Sequence, residues 1–245
     1  VDVELAELSL EGDRQQNQDR VKVICDADAL LLIAVDGMGG HSEGEKAAEV
    51  TVGALSECFF QIPRPMLDPQ GFLTLALARA HDQVVALGRE LPLDHRPRAT
   101  CAVCLVQDST SYWAHVGDSR LYQLRNDLVH RRTRDHSHVE LLLREGLIAE
   151  RDVKSHPMRN FVECCLGGDV ALPDMSVTGS YGLSQGDVLL ACTDGFWSGL
   201  EDEEIAAALK TAPLTEALRE LCERAVARNT PHSDNTSAVG ARWLG

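Results

Sequence analysis

Asp36 and Asp194 each close an apolar run of strand length, and each is followed by glycine. The runs are Leu30 to Val35 and Val188 to Thr193. A third aspartate, Asp118, follows Trp113-Ala114-His115-Val116-Gly117, and a fourth, Asp234, precedes Asn235-Thr236-Ser237-Ala238-Val239. Any single Asp-Gly pair reads as a turn, because glycine accepts positive φ and aspartate bonds its own backbone. The set of four asks for more. Carboxylates that cluster repel one another and resist ionising, and a divalent cation removes that penalty. Ligation by oxygen alone selects Mg²⁺ or Mn²⁺ over zinc.

These aspartates need strands to deliver them. Residues 2–9, 19–25 and 29–35 read as strands, and a glycine-rich turn from Gly37 to Gly44 leads into a helix near 43–60. A second helix is expected over about 70–88. A dense β region follows at 99–107, 110–117, 119–125 and 128–132, with turns at Asp108-Ser109-Thr110 and Arg125-Asn126-Asp127. Residues 138–168 break the pattern: a helix ends near Gly146, and His156-Pro157 and Gly167-Gly168 mark loop. Strands return at 174–181 and 186–193, then helices near 201–210 and 214–228, then a strand near 236–243. Runs of strands interrupted by helix pairs imply an α+β fold with mostly antiparallel sheets. One helix pair covers one sheet and the second pair covers another.

The chain has 245 residues and 44% hydrophobic content, which suits one compact domain with a large core, or at most two small ones. Its 38 acidic and 23 basic residues leave a net charge of −15, a surface that repels nucleic acid and anionic lipid. No apolar run is long enough to cross a bilayer, and the amino end lacks a signal-peptide layout, so a cytoplasmic protein is expected. Cys101-x-x-Cys104 has the spacing of a metal or redox pair. It sits inside an apolar strand, however, where residues three apart face opposite sides. No second Cys or His pair accompanies it at finger spacing. The eight cysteines are expected to behave as core residues.

Further blocks appear in order along the chain. They are Arg14-x-x-Asn17-Gln18-Asp19, Asp36-Gly37-Met38-Gly39-Gly40, Arg98-Ala99-Thr100, Val116-Gly117-Asp118-Ser119-Arg120 and Thr133-Arg134-Asp135-His136-Ser137. His156-Pro157-x-Arg159-Asn160, Thr193-Asp194-Gly195 and Asp234-Asn235-Thr236-Ser237 complete the series. The sequence resembles the type 2C class of metal-dependent serine/threonine protein phosphatases, the PPM family, in its compact bacterial form. The resemblance covers nearly the whole chain.

That resemblance implies a β-sandwich of two antiparallel sheets with a helix pair on each outer face and a metal centre at one edge. Residues 1–245 form a single catalytic domain in this view, and 138–168 match the family's flap, the segment that meets the substrate. Asp36 resembles the ligand that bridges two metals, and Gly37 gives its backbone carbonyl to one of them. Asp194 and Asp234 resemble the remaining core ligands. Asp118 resembles the ligand of a third, weaker metal shared with Asp194. Arg14 matches the phosphate-binding arginine, and Asp19 an acidic position that holds metal-bound water. The implied cofactor is Mn²⁺ or Mg²⁺, as two core ions with a possible third.

The implied reaction is hydrolysis of phosphoserine and phosphothreonine in proteins. Two cations roughly 3.5–4 Å apart share a hydroxide and lower its pKa. The hydroxide attacks phosphorus in line, and Arg14 steadies the charge on the equatorial oxygens. No nucleophilic Cys or Ser is needed. Met38 occupies a slot where some members carry His, and Met cannot donate a proton. Metal-bound water is the first choice for the acid, and His41 is a second. Gln18 replaces a frequent Glu, which keeps an oxygen acceptor but drops the charge; Asp19 can compensate.

The expected partner is a phosphorylated protein, a Ser/Thr kinase or its targets, and the enzyme would oppose a cytoplasmic kinase as a monomer. Neither nucleic acid nor membrane is an expected partner. A catalytically silent phosphatase-like binding module and a hydrolase of small phosphate esters are the alternatives. Ser119-Arg120 is expected to pair structurally. Asp135-His136-Ser137 cannot form a hydrolase triad from adjacent residues and reads as a turn into a helix.

Overall fold

Seven consecutive residues, Ala29 to Val35, are completely buried, and the chain is built around them. They belong to strand β3 (Ala29–Met38). Leu31, Ile33 and Val35 face a helix pair, whereas Leu30, Leu32 and Ala34 face a second sheet. A strand covered on both sides has no solvent face, so its sequence shows no polar alternation. The computed structural model describes residues 1–39, 43–153, 155–210 and 212–245.

Two sheets result, and every strand pairing within them is antiparallel. The first joins β1 (Val3–Leu10), β7 (Arg120–Arg125), β8 (Leu128–Arg132), β11 (Val188–Cys192) and β12 (Thr236–Trp243) in the order β1-β12-β11-β7-β8. The second uses β2 (Asp19–Cys25), β3, β4 (Arg98–Ala99), β5 (Cys101–Gln107), β6 (Thr110–Val116), β9 (Leu166–Gly167) and β10 (Ser176–Gly182). Its order is β10-β6-β5-β3-β4-β9, with β2 on the free side of β3. Asp108-Ser109 and Asn126-Asp127 adopt positive φ in pairs and close the β5-β6 and β7-β8 hairpins. That matches the twist of the strands they join.

Helices α1 (Glu43–Gln61) and α2 (Pro69–Leu87) lie on the outer face of the second sheet. Asp68 caps α2 by accepting the Gly71 N–H, and Pro69 opens it. On the outer face of the first sheet lie α5 (Asp194–Trp197), α6 (Asp202–Ala208) and α7 (Leu214–Asn229). The layers are therefore α-β-β-α, as expected. Cys101 packs against the helices and Cys104 against the opposite sheet, so the strand geometry separates the two thiols.

Four local expectations need correction. Strand β3 continues to Met38, because Gly37 and Met38 pair with Ala99 and Arg98. Asp36 and Gly37 thus sit inside the strand rather than in a turn beyond it. The 99–107 run is broken at Thr100, whose N–H bonds to the Asp36 carbonyl. Gly167 belongs to β9 rather than to a loop. The 138–168 segment holds α3 (His138–Arg144), capped by Ser137, and a single turn α4 (Glu150–Val153) that the pattern did not indicate.

Candidate metal centre

The β2-β3 ladder sets Asp19 directly opposite Asp36. Like charges at opposed positions destabilise a sheet, so this pairing calls for a counter-charge. Asp19 is buried and accepts a hydrogen bond from Thr193 Oγ1 at 2.7 Å. Asp36 continues the strand to Gly37, whose N–H donates to the Gln18 carbonyl at 3.1 Å. A β-carbon on Gly37 would run into the carbonyl oxygen of Gly44.

Asp194 opens α5 directly after β11, with Thr193 as its cap residue. Here too the glycine serves a close approach: a β-carbon on Gly195 would collide with the Asn235 carbonyl. Neither Gly37 nor Gly195 has positive φ, so the turn explanation of the two Asp-Gly pairs fails. Asp118 follows β6 and is buried, and its carbonyl accepts the Trp197 indole N–H at 2.9 Å. Asp234 precedes β12 and uses Oδ1 to accept the Asn235 N–H at 2.8 Å. Its Oδ2 accepts from Arg14 at 2.7 Å.

Arg14, Asp36, Gly37, Asp118, Asp194 and Asp234 line one cleft of about 510 Å³. Asp19, buried opposite Asp36, is not among the residues that line the cleft, which suits an indirect role. Asn160 and Val162 close the cleft from the 138–168 side. They are held there by the Ser137–Val162 bridge and by the Glu163 N–H donating to the His136 carbonyl at 2.8 Å. Met38 also faces the cleft. His41 lies outside the described residues.

The electrostatics follow from burial and from the neighbours. Burial, then the charges of Asp19, Asp194, Asp118 and Asp234, hold the Asp36 carboxyl well above the usual range. Burial, then Asp118, Asp234 and Asp19, do the same to Asp194. Burial pushes Asp19 up to about 6, against the hydrogen bonds from Ser237 and Thr193. Burial and the Asp135 charge push Asp118 up to about 7, with Arg120 opposing. Such groups ionise together only beside positive charge.

The donors are all oxygen, which fits a hard divalent cation. No group of three or more His, Cys, Asp or Glu side chains among the described residues stands in ready ligand geometry. Asp234 in particular gives one oxygen to Arg14.

Asn235 is a contributor that residue type and spacing did not reveal. Its Nδ2 donates to the carbonyls of Glu11 (2.8 Å) and Gln16 (3.0 Å), and its Oδ1 accepts the Gln18 N–H at 2.9 Å. Ser233 donates to Asp13 through both its hydroxyl and its N–H. Together they staple the Glu11–Gln18 loop, and hence Arg14, to the segment that leads through Asp234 into β12. Ser119 and Arg120 do pair structurally: Ser119 with Thr100 at 2.7 Å, and Arg120 with both Asp135 oxygens at 2.8 and 2.7 Å.

Comparison with known proteins gives a consistent result. The family model described as Protein phosphatase 2C matches residues 9–235. A serine/threonine protein phosphatase PstP of Mycobacterium tuberculosis is 31% identical over 232 residues, covering 93% of this chain. The match spans only 42% of that relative's own length. The serine/threonine phosphatase stp of Listeria innocua is 31% identical over 204 residues, 81% of this chain and 79% of its own. A crystal structure of the PstP catalytic domain in complex with two manganese ions superposes with a TM-score of 0.81 at 27% identity, over 99% of both chains.

Proposed function

The chain belongs to the protein phosphatase 2C family, and on that premise we propose that it hydrolyses phosphoserine and phosphothreonine in proteins with the help of Mn²⁺ or Mg²⁺. The observation that carries this is the convergence of Asp36, Asp118, Asp194 and Asp234 on one cleft that also contains Arg14. The Mn²⁺-containing relative supports the choice of cation. Asp36, the Gly37 carbonyl, Asp194 and Asp234 would hold two ions, Asp118 would serve a third, and Asp19 would act through water. When bound, such cations lower the pKa of water and offset phosphoryl charge.

The chain's own groups supply the rest. The planar guanidinium of Arg14 can grip two phosphate oxygens at once. Asn160 and Val162 narrow the cleft from the flap, where an approaching peptide would pass. Asp19 anchors to Thr193 and so fixes the spacing between the β2 and β11 contributions. Residues 1–245 act as one catalytic domain in this proposal, with 138–168 as its flap, opposing a Ser/Thr kinase. No helix among the described residues is long and apolar enough to cross a membrane.

The test is hydrolysis of an aryl phosphate and of phosphoserine peptides, with and without Mn²⁺. Turnover of both in Mn²⁺, abolished by chelator and by Asp36→Asn, is expected. Cation binding without turnover of either would overturn the enzyme in favour of a silent binding module. Turnover of small esters alone would overturn the protein substrate.

A further inference from the structure

A second cleft, about 380 Å³ in volume, lies where the terminal strand of one sheet, β8, meets the terminal strand of the other, β10. It shares no lining residue with the carboxylate cleft. Arg131, Arg132, Arg134 and His115 line it, and no Asp or Glu does. Three arginines within four residues reverse the local charge of a chain whose net charge is −15. An anion repelled by the surface at large is attracted here.

The arginines are not all spent on internal pairs. Arg132 is bonded to Asp202 at 2.9 Å. Asp135, next in sequence to Arg134, is taken by Arg120. Among the described residues, the Arg134 guanidinium makes no ion pair or hydrogen bond. Arg131 only rests on the Tyr181 ring, 4.5 Å from its centroid. The ring is itself fixed edge-on against Trp113 at 5.1 Å. The backbone that carries Arg134 is fixed as well, since its carbonyl is hydrogen-bonded to His115 Nε2 at 2.7 Å. Among the described residues, Arg131 and Arg134 thus line the cleft with guanidinium groups that make no ion pair or hydrogen bond, and Thr178 lines it from the opposite strand.

We propose that this cleft is a second anion site, which binds a phosphate-type group through Arg131 and Arg134. Guanidinium forks match tetrahedral oxyanions, and paired charge-assisted bonds give the needed strength. The cleft is larger than a bare phosphate, so it also accommodates part of the molecule that carries it. Two sources share this chemistry: a phosphorylated residue of a protein and a free phosphate ester.

The experiment is a titration of the ¹⁵N-labelled full chain in chelator, where the peptide is not turned over, first with inorganic phosphate and then with a phosphoserine peptide. Saturable shifts are expected in the amides of Arg131 to Arg134 and Ser176 to Tyr181. The double variant Arg131→Ala/Arg134→Ala should weaken them by about tenfold or more. Arg14→Ala should leave them in place. No saturable shift at these amides, an unchanged midpoint in the double variant, or their loss in Arg14→Ala would each overturn the site. A peptide binding here about tenfold tighter than phosphate supports the site with a phosphoprotein as the source. Equal affinities support it with a free ester as the source.

Discussion

Arg14 donates to Asp234 Oδ2 at 2.7 Å, so the side chain best suited to grip phosphate holds a carboxylate best suited to hold a cation. Both side chains are substantially exposed, 59% and 38%, which keeps the pair exchangeable with solvent and ligands. A cation at Asp234 competes with Arg14 for that oxygen. Arg14→Ala should therefore bind Mn²⁺ at least as tightly as the parent. Its KM for a phosphopeptide should rise on the order of tenfold. Calorimetric Mn²⁺ titration checks the first half; weakened metal binding would sink the assignment.

The buried carboxyls give the protein a pH dependence whose sign is set by their direction of shift. Asp19 and Asp118 are raised to about 6 and about 7, and Asp36 and Asp194 are raised as well. The unfolded chain ionises these groups near pH 4, so the folded chain binds more protons above that point. Their contribution to stability is complete below about pH 4 and is lost as pH rises through the folded values. Cation binding requires the ionised forms. The Tm gain on adding Mn²⁺ should be larger at about pH 7.5 than at about pH 5. In chelator at about pH 7.5, Asp118→Asn should raise stability by on the order of 1–3 kcal/mol. Equal Mn²⁺ gains at both pH values would contradict this.

Most of the sandwich is legible in the sequence because its strands are either fully buried or punctuated by turns. Ala29 to Val35 reads as a strand from an unbroken apolar run, and Asp108-Ser109 reads as a hairpin from residues that tolerate positive φ. The four aspartates are legible through their place at or near strand ends. What stays hidden depends on partners distant in sequence. Strand β3 gains Gly37 and Met38 from pairing with β4, some 60 residues away. Asn235 looks like any turn asparagine until the Glu11–Gln18 loop folds onto it. Asp19 opposes Asp36 only through the ladder register.

Gly37 and Gly195 should tolerate no side chain, for a packing reason rather than a dihedral one. A β-carbon at either would meet a backbone carbonyl, of Gly44 and of Asn235 respectively. Backbone cannot swing aside as a side chain can, so Gly37→Ala and Gly195→Ala should each cost about 3 kcal/mol. Both should also lower Mn²⁺ affinity, since each displaces the neighbouring aspartate. Gly53, inside α1 with open space around it, is the control. Gly53→Ala should stabilise by about 0.5–1 kcal/mol. Chemical denaturation of the three variants checks the order.

Asn235 offers a test of whether the loop that carries Arg14 is held by this one side chain. It donates twice, to the Glu11 and Gln16 carbonyls, and accepts once, from the Gln18 N–H. Alanine removes all three part-buried bonds at once, so Asn235→Ala should cost about 2–4 kcal/mol. Asn235→Asp is nearly isosteric and keeps the acceptor. It nevertheless turns a carboxylate oxygen toward two carbonyls and adds negative charge beside Asp234. Aspartate should therefore be the worse substitution in metal-free protein. The phosphopeptide KM should rise in both variants, because Arg14 loses its fixed position while its own contact with Asp234 is untouched. Denaturation midpoints and KM values measured on the pair check this; an alanine variant that is less stable than the aspartate would show that shape, not hydrogen bonding, holds the loop.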